Sequence, residues 1–177
     1  MQSNNTMTIL SFIRTNREAI LKRWRRLVLA SYSSQGASFM AAERDRFANP
    51  VGAAINDVTS HLLRYFLEEI DETGFEEPLE RFIKIRAVQE YTASQAVEFI
   101  FMLKSAILET PGCNEALRDA ASDVLIVFSR IDRMSLTAFD RYSSCREKLY
   151  DIAMNEFKQR NHKMMERLGL SPTAGDI

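Results

Sequence analysis

The sequence predicts an all-α protein, a helical bundle with a long C-terminal helix, and three observations carry that prediction. Only six glycines and four prolines interrupt 177 residues, too few for a chain broken by frequent turns. Apolar residues return at steps of three and four along most of the chain, the period of one helix face, and no segment keeps the alternation of a strand. Between Gly112 and Gly169 there is neither glycine nor proline, which allows one very long helix.

From Ile9 to about Tyr32, the residues Ile13, Ile20, Trp24, Leu27, Val28 and Ser31 keep helical spacing, with Thr15 and Asn16 placed to cap or kink it. A short helix is expected over Ala37–Arg44. In DRFANP, Asn49 can cap the next helix and Pro50 can fill its first position, where a missing N–H does no harm. Its inner stripe of Val51, Ile55, Val58, Leu62, Phe66 and Ile70 carries it to about Glu72. The acidic connection DETGFEEP then ends in another start, with Pro78 at the first position and Leu79, Phe82, Ile83 and Arg86 continuing the pattern. In TASQ, Thr92 and Gln95 form a capping box, so Glu90 to Thr92 is a corner where two helices meet.

From Ala93 to Leu108 the apolar residues occupy every side of the helical wheel, as expected of a helix enclosed by others, until Pro111 and Gly112 stop it. Leu117, Ala121, Val124, Phe128, Ile131, Ser135, Ala138, Tyr142, Cys145, Leu149 and Ile152 then alternate at steps of 4 and 3, a heptad seam. Leu117, Val124, Phe128, Ile131, Tyr142 and Leu149 are the expected contacts of a homodimer along that seam. A helix this long outgrows a compact domain, so it either breaks near RIDRMS or projects over about 146–169. One domain is expected over 1–169 and a disordered tail over 170–177.

Composition narrows the function. With 23 basic and 24 acidic side chains the formal charge is 23 − 24 = −1, so nothing global draws the chain to nucleic acid or an anionic membrane. Cys113 and Cys145 belong to no CxxC pattern, and two free thiols fit a reducing cytoplasm. The start MQSNNTMTILSF lacks the basic and apolar regions of a secretory signal, and no apolar run is long enough to span a membrane. A cytoplasmic protein without a membrane span is expected. His61 and His162 lie far apart in sequence, and a metal site built from them would need coincidence in the fold, so no metal is expected. No phosphate-binding, hydrolase or zinc-protease motif occurs, and neither enzymatic activity nor a cofactor is expected. The basic run RTNREAILKRWRR could meet nucleic acid, but Trp24, Leu27 and Val28 turn it toward a core, and the carboxylates between Glu68 and Glu80 offer a counterweight.

Charges within apolar sequence mark the candidate site: Arg86, Gln89, Ser94, Gln95, Glu98 and Lys104. In one reading Arg86 pairs with Glu98 or Glu90, caps neighbouring carbonyls and organises the core; in the other it lines an enclosed pocket and binds a small anionic ligand or fixes a switch.

RFANPVGAAI, IKIRAVQEYTASQAVEFIFMLK and YSSCREKLYDIAMNEFKQR, in that order over about Asn16 to Leu168, resemble the N-terminal domain of RsbRD, an RsbT co-antagonist of bacterial stress signalling. The resemblance implies a regulatory, sensor-like module related in role to the dimeric, globin-like non-haem domains of stressosome proteins, whose last helix leads into a phosphorylated output domain. No output domain follows Leu170 in this sequence, so action by binding another signalling protein is expected. No histidine lies between Pro78 and Tyr91, where a haem-binding globin relative would carry its ligand, so haem is not expected.

Overall fold

The computed structural model describes residues 8–32, 48–119 and 121–168. Within them are seven helices and no strand: α1 (Ile9–Thr15), α2 (Arg17–Ala30), α3 (Pro50–Phe66), α4 (Thr73–Val88), α5 (Ala93–Leu108), α6 (Cys113–Asp119) and α7 (Ala121–Arg167). The helix expected over Ala37–Arg44 and the tail over 170–177 lie outside the described residues. Contacts divide the chain into two compact units, Met1–Tyr142 and Ser143–Ile177. α7 is continuous, without a break at RIDRMS.

Short side chains set most helix starts. Thr8 caps α1 by accepting from the Ser11 amide at 3.2 Å, and Asn16 separates α1 from α2. Asn49 caps α3 by accepting from the Gly52 amide at 2.8 Å, with Pro50 at the head of the helix. That cap explains Gly52, because a Cβ there would stand only 2.3–2.7 Å from the Asn49 side chain. α4 starts at Thr73, before Pro78, because the Asp71 carboxylate accepts from the Thr73 hydroxyl (2.7 Å) and the Gly74 amide (3.2 Å). Those two bonds, Thr73 first, hold the Asp71 carboxyl below its usual pKa. Pro78 therefore lies inside the helix, a correction to the expected start.

Two helix ends share one unusual device. α3 stops at Phe66, short of the expected Glu72, because Glu68 turns to φ 62°. The Glu69 amide then bonds to the Arg64 carbonyl and the Glu68 amide to the Tyr65 carbonyl, the paired bonds of a Schellman motif with glutamate in the left-handed position. Arg14 and Arg130 donate to the Leu67 and Phe66 carbonyls, at 3.1 and 3.3 Å, satisfying acceptors the helix leaves over. α4 ends the same way: Glu90 has φ 60°, Tyr91 N–H bonds to the Arg86 carbonyl, and Glu90 N–H bonds to that of Ala87. Thr92 and Gln95 form the capping box of α5.

In the first unit α2 packs on α3 and α5, α3 on α4, α4 on α5, and α1 and α6 close on one another. Trp24, Phe66, Phe75, Phe82 and Phe99 are fully buried, and Trp24 Nε1 donates to the Phe99 carbonyl at 2.5 Å. α5 is not enclosed on every side as its composition suggested: Ser94, Glu98, Phe101, Ser105 and Leu108, at steps of 4, 3, 4 and 3, form one exposed face. The first part of α7 buries Val127, Ile131, Met134, Ser135, Ala138 and Tyr142. Its polar ties are Arg130 to Glu68, Arg141 to Glu76, Lys104 to Asp132, and the Tyr142 hydroxyl donating to the Tyr91 carbonyl.

Glu90 sits in a conformation that costs an L-residue about 1–2 kcal/mol and glycine almost nothing, part of which glycine returns as unfolded-state entropy. Glu90→Gly is therefore expected to raise stability by about 0.5–1 kcal/mol, and Thr92→Ala two residues on to lower it by about 1 kcal/mol. Urea denaturation of the full chain measures both, and a Glu90→Gly variant less stable than the parent contradicts the assignment of the turn.

Candidate functional site

Arg86 lies on the inner face of α4, and its side chain is fully buried. One terminal nitrogen donates to the Gln95 carbonyl at 2.6 Å and the other to the Ser31 hydroxyl at 3.3 Å. Around the guanidinium stand four rings: Phe82 at 4.8 Å, Tyr91 at 4.9 Å, Phe99 at 5.4 Å and Tyr32 at 5.5 Å. The Schellman turn that ends α4 folds Tyr91 back over the side chain whose own carbonyl it bonds. Arginine stays ionised in proteins, so this is a buried cation held by ring faces and neutral acceptors. Its Nε and the Tyr32 hydroxyl are both buried without a hydrogen-bond partner among the described residues. Burial pushes the Tyr32 phenol above its usual pKa, with the Arg86 charge pulling the other way.

The expected pairing of Arg86 with Glu98 or Glu90 does not form. Both glutamates are exposed, and no carboxylate pairs with Arg86 among the described residues. Glu98 stands three residues beyond Gln95, on the outer face of α5, while the inner face takes donors from Trp24 and Arg86. Of the six residues singled out, Gln95 alone joins Arg86 directly; its side-chain oxygen accepts from the Thr92 amide and hydroxyl, each at 3.0 Å. Ser94 touches Thr92 at 3.1 Å, and Gln89 is exposed at the end of α4.

Lys104 belongs to a different surface. Its ammonium pairs with Asp132 of α7 at 2.6 Å and lies over the rings of Phe101 (5.3 Å) and Phe128 (5.1 Å). Phe101 and Leu108 are exposed on the same side of α5, and Leu125, Phe128, Asp132, Leu136 and Phe139 follow one another on a single face of α7. Leu125 is 71% and Leu136 66% exposed, values far above those of core leucines. The expected dimer seam runs along another line: Ile131 and Tyr142 are buried within the one chain, while Leu117, Val124, Phe128 and Leu149 are half-buried. The apolar face that remains open was legible only as a second series, Leu125, Leu136 and Phe139, overlapping the first.

The basic N-terminal helix is largely engaged. Arg17 pairs with Glu69 at 3.0 Å and Arg23 with Glu109 at 3.3 Å, while Arg25 bonds Thr59, Ser60 and the Asn56 carbonyl. An open groove there is lined by Lys22, Arg23, Arg25 and Arg26, and another by Tyr65, Glu68, Arg130 and Thr137; neither includes Arg86. The His61 ring hydrogen-bonds the Asp57 carbonyl at 2.8 Å, and His162 pairs with Glu166 at 3.2 Å. Among the described residues no three His, Cys, Asp or Glu side chains gather as a metal site. Cys113 and Cys145 are free and buried, and burial, then Glu115, pushes the Cys113 thiol above its usual pKa. No described helix is long and apolar enough to cross a membrane.

Residues 18–155 match the model of a family described as the RsbT co-antagonist protein rsbRD N-terminal domain. The matched span includes Arg86, its aromatic neighbours and the exposed face around Lys104. A search of the curated proteins found no match, and a search of the solved structures found none.

Because no carboxylate would be left behind, Arg86→Met is expected to cost no more than about 1–2 kcal/mol, the loss of two hydrogen bonds and four ring contacts being offset by removal of a charge that is costly to bury. A broken buried ion pair would cost about 3–5 kcal/mol. Glu98→Ala is expected within about 0.5 kcal/mol of the parent. Denaturation of the two variants separates the cases: large, similar losses in both contradict the aromatic cage.

Proposed function

Because the chain belongs to the RsbT co-antagonist protein rsbRD N-terminal domain family, we propose that it is a non-enzymatic regulatory module of stress signalling that acts by binding another signalling protein. The observation that carries this reading is the open apolar face of the first unit, from Phe101 and Leu108 on α5 to Leu125, Leu136 and Phe139 on α7. Single exposed apolar residues are ordinary, but these share one side of each helix, and Lys104 links the two sides through Phe101 and Phe128. Aromatic and aliphatic groups with few charges are what the centre of a protein interface contains. The Lys104–Asp132 pair within the face supplies a fixed polar mark for orienting a partner. Two free buried thiols fit action in the cytoplasm, and in this reading the module works as a homodimer, as the expected seam along α7 suggests.

Leu136→Lys and Phe139→Lys are expected to abolish capture of the partner from a native lysate while leaving helical content and denaturation midpoint near those of the parent, since both side chains are already exposed. Undiminished capture by both variants would remove the face from the reading.

A second reading, a sensor for a small ligand, is supported by one observation: among the described residues two buried donors, Arg86 Nε and the Tyr32 hydroxyl, lack hydrogen-bond partners beside a cation with no carboxylate paired to it. A small monovalent anion satisfies all three needs. Chloride is expected to raise the melting temperature by several degrees over gluconate at equal ionic strength, and Tyr32→Phe to remove most of that difference. Identical melting in the two salts eliminates the anion.

A further inference from the structure

We infer that Tyr150 to Leu168 forms a parallel, in-register, two-stranded coiled coil with a second copy of this chain, with Asn161 facing Asn161 of that copy. The inference deepens the proposed homodimer and rests on it. In the second unit every residue of α7 from 151 to 160 is exposed among the described residues. Apart from Ile152 and Met165, its large apolar residues from Tyr150 on fall in one stripe. Tyr150, Met154, Phe157, Asn161, Met164 and Leu168 succeed one another at steps of 4, 3, 4, 3 and 4, a strict two-position heptad. The five apolar members are 53–66% exposed, a stripe that water would not leave open on a helix this long. His162–Glu166 pairs along the helix away from that stripe and Glu156–Arg160 pairs up to its edge, both within one chain.

Asn161 and the flanking charges choose the occupant and its direction. In a parallel pair the two Asn161 side chains meet in one layer, where each amide can donate to the other's carbonyl, and a lone asparagine at this heptad position fixes register and favours two strands. Each Arg146 then stands beside the other copy's Asp151, Ala153 beside Lys158, and Arg160 beside Met165, so no like charges meet. An antiparallel pair centred on the same stripe places Lys158 against Lys158, Arg160 against Arg160, and Asn161 against Phe157. It loses on both counts: repulsion between cations and an amide buried on a ring. Phe157, Met164 and Leu168 lie beyond residue 155, where the family match ends, so the stripe is not a restatement of that match.

The full chain is tested in solution. Sedimentation is expected to show a concentration-dependent dimer, weakened at least about 30-fold by Phe157→Asp, as for an interface anchor, with unchanged helical content. Under mild oxidation Asn161→Cys is expected to link two chains by a disulfide, while Gln159→Cys, on the outer side of the helix, and the parent with its buried cysteines do not. If Gln159→Cys links as fast as Asn161→Cys, or Phe157→Asp dimerises like the parent, the coiled coil is wrong and the homodimer stands on another face. If the parent is monomeric at every concentration, both fall.

Discussion

The Arg86 guanidinium is the constraint around which the first unit is arranged. It is a fully buried charge, and with no carboxylate paired to it among the described residues its solvation has to come from neutral groups. Two acceptors and four ring faces supply it, and they come from different parts of the chain: Ser31 and Tyr32 after α2, Phe82 on α4 itself, Tyr91 at the corner, Gln95 and Phe99 on α5. Each ring contributes on the order of 0.5–2 kcal/mol when desolvated, so no single one replaces hydration and the set must assemble together. A cation solvated this way specifies which helices meet, because a small displacement of any one exposes or abandons the charge.

The same interaction decides what α5 shows to solvent. Its Gln95 and Phe99 carbonyls, one turn apart, accept from Arg86 on α4 and from the Trp24 indole on α2. Fixing those two acceptors inward turns Ser94, Glu98, Phe101, Ser105 and Leu108 outward. The open apolar face and the buried cation are therefore two sides of one rotation about the α5 axis, with Lys104 at the edge between them, reaching across to Asp132.

Local signals in the sequence were those with a steric or hydrogen-bonding cause. Thr92 and Gln95 gave the start of α5, Asn49 and Pro50 that of α3, and Pro111 with Gly112 the end of α5, because each residue type there has few alternatives. The ends of α3 and α4 were harder, since both Schellman turns place glutamate where glycine is the usual signal. Glu98 was misplaced for a different reason: a helix apolar on nearly every side has a weak period, and the period is what tells inward from outward. Arg86 is buried, and beyond a neighbouring carbonyl its partners, the Ser31 hydroxyl and four aromatic rings, carry no sequence mark of attraction to a cation.

α7 shows why a heptad pattern alone does not name an interface. In the first unit it holds two apolar lines on adjoining faces: Val127, Ile131, Met134, Ala138 and Tyr142 buried within the chain, and Leu125, Leu136 and Phe139 left open. Both follow helical spacing, so periodicity cannot rank them; the deciding factor is which line meets the rest of the core. The ion pairs of Arg130 and Arg141 are half-buried to exposed, and such pairs contribute roughly 0–1 kcal/mol each, too little to choose a face. Burial of the apolar line chooses it, since each fully buried large aliphatic side chain contributes about 1.5–3 kcal/mol. The Tyr142 hydroxyl, donating to the Tyr91 carbonyl, then couples that choice to the corner above Arg86. The first part of α7 is thereby set by the same cage that orients α5, and the open line on it is what remains when the core has taken the other.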